Sequence, residues 1–371
     1  MTKKLALFFI GFGLFVQTNA QEQVVWIGTT TPSNGPSKGI YRCVFDASKG
    51  RLSTPVLAAK ISSPGFLTLN QSGTRLYSVG RIGDESCVAA FEVMDEAPYL
   101  WRLNSQPIGD GGSAHVSLDR DDRLLFTAQY GGGSVAVYPI DEKGYIQSQT
   151  QLVKHTGSGP NPARQKSPHP HWTGVSQSNA YLYVPDLGLD RVVYYEIDHA
   201  NAAIRSKGMG ICPPGGGPRH MKFHPSNRWA YVLNELQLSV TTFNYNAESG
   251  SLHPIQTLSA LPENLREGFN SGSEIRIHPN GRFLYTANRG HDSITVFEID
   301  TTSGLLTFKE REPVRGSWPR NFNIDPTGKW LIAAGRNSNT LSVFEIDSRE
   351  GLLLYTQHTV NCPTPICVAF Q

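Results

Sequence analysis

Residues 215–236 read GGGPRHMKFHPSNRWAYVLNEL. Two short apolar runs, one around Met221 and Phe223 and one from Trp229 to Leu233, flank HPSNR, in which Pro225 and Asn227 mark a turn. Paired as a hairpin, the runs put that turn at one end. Arg219, His220, Asn234 and Glu235 then meet at the other. Whether the meeting is chemistry depends on how the rest of the chain uses the same pattern.

The chain repeats it. FLTLNQSGTRLYSVGR begins at Phe66, and HVSLDRDDRLLFTAQY, WTGVSQSNAYLYVPDL, EIRIHPNGRFLYTANR and NFNIDPTGKWLIAAGR share its layout. Their aligned column of Tyr77, Phe126, Tyr183, Tyr231, Tyr285 and Ile332 recurs at intervals of 47 to 57 residues. Each unit continues into a period-two run such as SVAVYPI, RVVYYEI or SITVFEI, followed by a polar turn and another strand-like segment. Units of about fifty residues with four short strands are the pattern of β-propeller blades. Seven outer pairs can be counted but only six complete inner hairpins. PICVAF at the C-terminus and VVWIGT near the N-terminus supply the two halves of the missing one. The expectation is an all-β, seven-bladed β-propeller over residues 21–371, a single domain whose N- and C-terminal strands share a blade and leave no sheet edge open.

Columns of the repeat fall at equal heights around such a ring. Twelve positions before the Tyr column stand Gly65, Ala114, His171, Arg219, Ser273 and Arg320; four after it stand Arg81, Tyr130, Leu187, Glu235, Arg289 and Arg336. Both columns lie away from the hairpin turns, so both belong to one rim of the central channel. A purely structural repeat fills its columns with similar residues. Here the strands are monotonous and the rim is individual, as when a site is grafted on a scaffold. The bland alternative is a set of solvated loop ends and ion pairs between blades. Two long irregular connections reach the same rim: 154–171, carrying Arg164, Lys166, His169 and His171 into Trp172, and 262–274.

Composition narrows the classes. Charged residues make up 17% of the chain, the formal net charge is +2, and there are 36 glycines and 24 prolines. Such a chain is rich in turns and has no overall field for nucleic acid or an anionic membrane. Residues 1–20, MTKKLALFFIGFGLFVQTNA, read as a signal peptide cleaved near Ala20, which predicts export to the periplasm or beyond. Their apolar stretch is shorter than the roughly 20 residues that span a bilayer. Cys43, Cys87, Cys212, Cys362 and Cys367 are too sparse for a disulfide framework, although Cys362 and Cys367 are near enough in sequence to bridge. Neither zinc-ligand spacing nor G-x-S-x-G, H-E-x-x-H or a phosphate-loop motif is present. No cofactor and no metal are expected. A metal site would need Asn234, Glu235, Glu274 and Asp186 to converge, against the repulsion of the surrounding arginines.

At GPRHMKFHP…YVLNEL, HPNGRFLYTANRGHDSITVFEID and PRNFNIDPTGKWLIAAGRNSNTLSVFEI the sequence resembles the propeller-type lactonase family, which includes bacterial 6-phosphogluconolactonases and fungal carboxymuconate cyclases. RQKSPHPHW and VPDLGLDRV are also similar to it. The resemblance implies a site made of a His, two Arg and a Glu at the channel mouth, which match His171, Arg219, Arg289 and Glu235. One departure is the signal peptide, since phosphorylated sugars are not expected outside the cytoplasm.

Hydrolysis of a lactone needs a base to deprotonate water and a place for the charge that grows on oxygen. The sequence therefore suggests His171 as base, Arg219 and Arg289 as charge stabilisers, and Glu235 as their orienting partner or as the base itself. His169, His220, Asn234, Arg320 and Arg336 are expected to contact substrate, a small lactone or anionic carboxylate. Two other readings stay open: a cyclase or isomerase acting on a polycarboxylate, and an exported propeller that binds without catalysis.

Overall fold

Several strands of this chain are apolar on both faces. Phe283–Arg289 and Trp330–Gly335 are buried at every position, so sheets built from them need a neighbour on each side. The computed structural model describes residues 22–371 and meets that need with seven antiparallel sheets in a ring. The signal-peptide reading of residues 1–20 lies outside the described residues.

Six sheets are contiguous in the chain and have four strands in sequence order. The fifth blade, for example, runs Pro218–Phe223, Trp229–Asn234, Ser239–Tyr245, Leu252–Ser259 from the channel outward. The first blade is shared: Pro365–Phe370 pairs with Glu22–Thr29, in the register Val25 to Phe370 and Ile27 to Val368. Trp26 Nε1 donates to Gln371 Oε1 at 3.0 Å and pins the closure. This is the division of the split blade expected from PICVAF and VVWIGT.

There is no single core. Seven separate hydrophobic clusters each lie between two adjacent blades, from Trp26, Leu67 and Leu76 between blades 1 and 2 round to Val25, Ile332 and Val343 between blades 7 and 1. The recurrent tyrosines explain part of this order. Tyr77, Tyr183, Tyr231 and Tyr285 are buried and donate their hydroxyls to Gly144, Gly250, Gly304 and Gly351, carbonyls in the outer turns of the next blade, at 3.1, 2.7, 2.8 and 2.8 Å. Gly304 has φ +77°, and a Cβ there would stand 2.5 Å from the Trp229 ring, so only glycine fits. On the turn side His224 and His278 do the same work. Their Nε2 atoms donate to Gly281 and Gly328 carbonyls at 2.8 and 2.7 Å, while Nδ1 accepts a backbone N–H two residues on.

The five cysteines are buried and free, and Cys362 and Cys367 sit in different clusters rather than bridging. Among the described residues no helix is long and apolar enough to cross a membrane.

Candidate active site

The innermost strands of blades 3, 5, 6 and 7 each lose register at the rim. In blade 5 Pro218 pairs with Asn234 and His220 with Leu233, which leaves Arg219 unpaired. In blade 7 Arg320 is left out in the same way, between Pro319 and Asn321. A β-bulge re-aims side chains that simple alternation would send to opposite faces. That is why Arg219 and His220, neighbours in sequence, both reach into the channel.

A cavity of about 500 Å³ opens on this rim, with His171, Glu235, Arg289, Arg320, Arg164 and Tyr130 in its wall. Blade 3 leaves its side bare. Gly112, Ser113, Ala114 and Gly131 line it, and a Cβ on Gly112 would meet nothing within 4 Å. The charged wall thus faces an open one.

Glu235 is the hub. Its Oε1 accepts from Arg164 Nη2 at 2.7 Å, and its Oε2 accepts from Arg219 Nε at 2.9 Å with Arg289 Nη2 at 3.1 Å. Burial alone would raise its pKa, but Arg289, Arg219, the His171 ring and the Arg164 hydrogen bond outweigh it and hold the carboxyl well below the usual range. With both oxygens occupied by guanidinium groups, Glu235 orients arginines and is a poor base. Arg219 also donates to the Ser273 carbonyl and, at 3.0 Å, to His220 Nε2. Burial, then Arg289, pulls its own pKa down to about 10, so it stays charged at neutral pH.

His171 is 4% exposed, and its Nδ1 is buried without a partner. Its pKa lies well below 6.5, first through burial and then through Arg219 and His220. The ring is therefore neutral at pH 7 and keeps a lone pair for a proton. Arg320 is the opposite case. It is half-buried, and its charge is disfavoured by burial and then by Arg219 and Arg289. Among the described residues it has no hydrogen-bond or ion-pair partner. Arginine does not shed its proton in compensation. Four guanidinium groups against one carboxylate leave the pocket short of negative charge.

The remaining residues expected to contact substrate are placed elsewhere. His169 stacks on Tyr130 at 4.5 Å, and its Nδ1 donates to the Tyr130 carbonyl at 2.7 Å, so it holds the wall rather than forming it. His220 lies beneath Arg219, with Nδ1 3.2 Å from Glu274 Oε1. Asn234 turns away and donates to Ser239 Oγ and Thr241 Oγ1 at 3.0 and 2.9 Å. Asn288 repeats that pattern one blade on, with Ser293 and Thr295, so the Asn column closes a strand turn. Arg336 is half-buried on the rim, outside the cavity wall. The four residues named for a metal do not converge. Glu274 pairs with Arg276, Asp186 with His155, and Asn234 with its turn.

Arg164 and Tyr130 complete the wall, and neither stood among the residues assigned from sequence. Tyr130 occupies the rim column and was visible there. Arg164 comes from an irregular loop that has no column to read. The second long connection contributes Phe269, stacked at 6.0 Å on Trp318, whose ring lies 5.8 Å from the Arg289 guanidinium. Trp318 holds φ 62°, an uncommon conformation for a bulky residue, fixed by its N–H on Asp292 Oδ1 at 2.8 Å.

Residues 24–370 match the family described as lactonase, 7-bladed beta-propeller. The chain belongs to that family. Its relatives include the 6-phosphogluconolactonase of Bacillus subtilis (strain 168), 39% identical over 345 residues that cover 93% of this chain and 97% of the relative. A 6-phosphogluconolactonase of Formosa agariphila is 31% identical over 307 residues, covering 81% and 86%. Among solved structures, a periplasmic gluconolactonase of Pseudomonas aeruginosa superposes with a TM-score of 0.88 at 30% identity, covering 94% of this chain and 99% of that one. Lactone hydrolysis is thus the activity for which relatives of this propeller lactonase are named.

Proposed function

We propose that the pocket hydrolyses a sugar lactone, an aldonolactone or its phosphorylated form, with His171 as general base. The observation that carries the reading is the pairing of a buried neutral His171 with the partnerless Arg320 guanidinium in one cavity. Water attacks the lactone carbonyl carbon and gives a proton to the imidazole. The negative charge that grows on the carbonyl oxygen is met by guanidinium groups already fixed by Glu235, which need no reorganisation. Collapse breaks the ring C–O bond. The imidazolium returns its proton to the departing ring oxygen, and the product is the open hydroxy acid. Arg320 takes the phosphate of a phosphorylated lactone in fork geometry, or donates to the hydroxyls of a plain one.

Export, as residues 1–20 suggest, would favour the unphosphorylated substrate, and the Pseudomonas relative is periplasmic. The test is a hydrolysis panel of phosphorylated and plain aldonolactones. Turnover of at least one supports the reading. Turnover of none, or cyclisation of a muconate-type diacid alone, overturns it.

A further inference from the structure

The channel has a second mouth, on the side of the hairpin turns. In blade 5 Met221 packs into the interface with blade 4, so His220 and Lys222 on either side of it share the channel face. In blade 6 Ile275 is likewise packed between blades, and Glu274 and Arg276 share that face. Following each strand from the catalytic rim, Arg219 comes first, His220 and Glu274 next, and Lys222 and Arg276 last. A cavity of about 520 Å³ opens at this lower level and shares no wall residue with the catalytic pocket. The rings of His115, His171 and His220 close the channel between the two, packed 5.3 to 5.6 Å apart, with Phe66 3.9 Å from His115.

The lower cavity is cationic. Its charged wall residues are Lys222, Arg276 and Arg120, and no carboxylate lines it. Arg276 is matched by Glu274 Oε1 at 2.9 Å and by Asn323 Oδ1 at 3.0 Å; Arg120 donates to the Ser176 carbonyl at 2.8 Å. Lys222 has no hydrogen-bond or ion-pair partner among the described residues. Its Nζ sits 5.1 Å from the Trp172 ring centroid, an aromatic face that can steady a cation without neutralising it.

We propose that this mouth is a second anion site, in which Lys222, beside Arg276 and over Trp172, receives a small carboxylate or phosphate.

The ammonium is costly where it stands. Although its side chain is partly open to the cavity, the surrounding packing, then Arg276, pulls its pKa down to about 7. The charged and titratable groups around it are Arg276, Glu274, Cys367, Arg120, His115 and His220. Glu274 and Cys367 favour the charged lysine, but Arg276 already uses Glu274. Burial pushes the Cys367 thiol up to about 12, which leaves it uncharged at neutral pH. An anion supplies the missing partner and draws a proton onto Lys222. Affinity is therefore full below pH 7 and falls as the pH rises through it.

The experiment uses the whole protein with its lysines reductively dimethylated with carbon-13, the Lys222 resonance being assigned from Lys222→Arg. Inorganic phosphate and gluconate are titrated separately, in the native chain and in Arg320→Ala. The expected result is that one or both anions move the Lys222 resonance and raise its titration midpoint, equally in both proteins. Arg276→Ala should weaken that binding by roughly tenfold or more, the loss expected for a charge-assisted contact. A resonance that ignores both anions into tens of millimolar overturns the proposal. So does a shift that vanishes in Arg320→Ala, which would place the anion in the catalytic pocket.

Discussion

Arg164 Nη2 lies 2.7 Å from Glu235 Oε1, across 71 residues of chain. The contact closes the pocket between a loop and a strand, and it makes Glu235 the shared counter-ion of three guanidinium groups. Those three cations depend on one carboxylate, so they respond unequally when a member is removed.

Glu235→Gln leaves Arg219 and Arg289 buried beside each other without their counter-charge. A loss of about 3–5 kcal/mol in unfolding free energy is expected, as for breaking a buried pair, and kcat/KM should fall with it. Arg164 is less buried, so Arg164→Ala should cost no more than about 1 kcal/mol. Urea denaturation of the two variants checks the contrast. Equal losses would mean that Glu235 is not the hub.

Arg320 and Asn234 separate binding from scaffold. Arg320→Ala removes a cation with no protein partner, so stability should hold while KM for an anionic lactone rises by about 10-fold or more. Asn234→Ala removes two buried hydrogen bonds. It should lower stability by about 1–3 kcal/mol and leave kcat/KM of the folded protein near the native value. Thermal melts beside steady-state kinetics give both readouts, and a reversed pattern would exchange the two assignments.

The acid limb of kcat/KM reports the base in the free enzyme. Because the His171 pKa is depressed, its neutral form persists as the pH falls below 6.5 and is lost only at the lower, folded-state value. Glu235, held well below the usual carboxylate range by its arginines, stays ionised as the pH falls past 6.5. The limb should therefore lie below pH 6.5. A midpoint at or above 6.5 would point to a different, more exposed base.

Closure of the ring rests on Pro365–Phe370. Truncation before Pro365 removes the channel strand of blade 1 and exposes the edge of Glu22–Thr29, together with Val25 and Ile27. The truncated protein is expected to aggregate or to lose its cooperative unfolding transition. A monodisperse, cooperatively melting product would show that the shared blade is dispensable.

The ring was legible in the sequence because it is periodic. Apolar alternation, the Tyr column and the split inner hairpin each recur, and each answers to a contact repeated around the ring, as Tyr231 on Gly304 repeats Tyr183 on Gly250. The columns also brought His171, Glu235, Arg289 and Arg320 to one mouth, because residues at equal heights converge on an axis. The position of Asn234 is less legible for the same reason: its column faces the rim, but hydroxyls of Ser239 and Thr241, five and seven residues on, accept from its side chain. Arg164 was not assigned because loops carry no period. The lower cavity was hidden because Lys222 and Arg276 are ordinary surface types in a strand, and only the ring places them around one opening.

The most direct measurement is kcat/KM of His171→Ala on a turned-over aldonolactone, corrected for uncatalysed hydrolysis, with the fold checked by circular dichroism. Loss of a general base should lower it by about 10²- to 10⁴-fold in a protein that remains folded. Turnover within a few-fold of the native enzyme would contradict the assignment of His171 and move the chemistry to another group in the pocket.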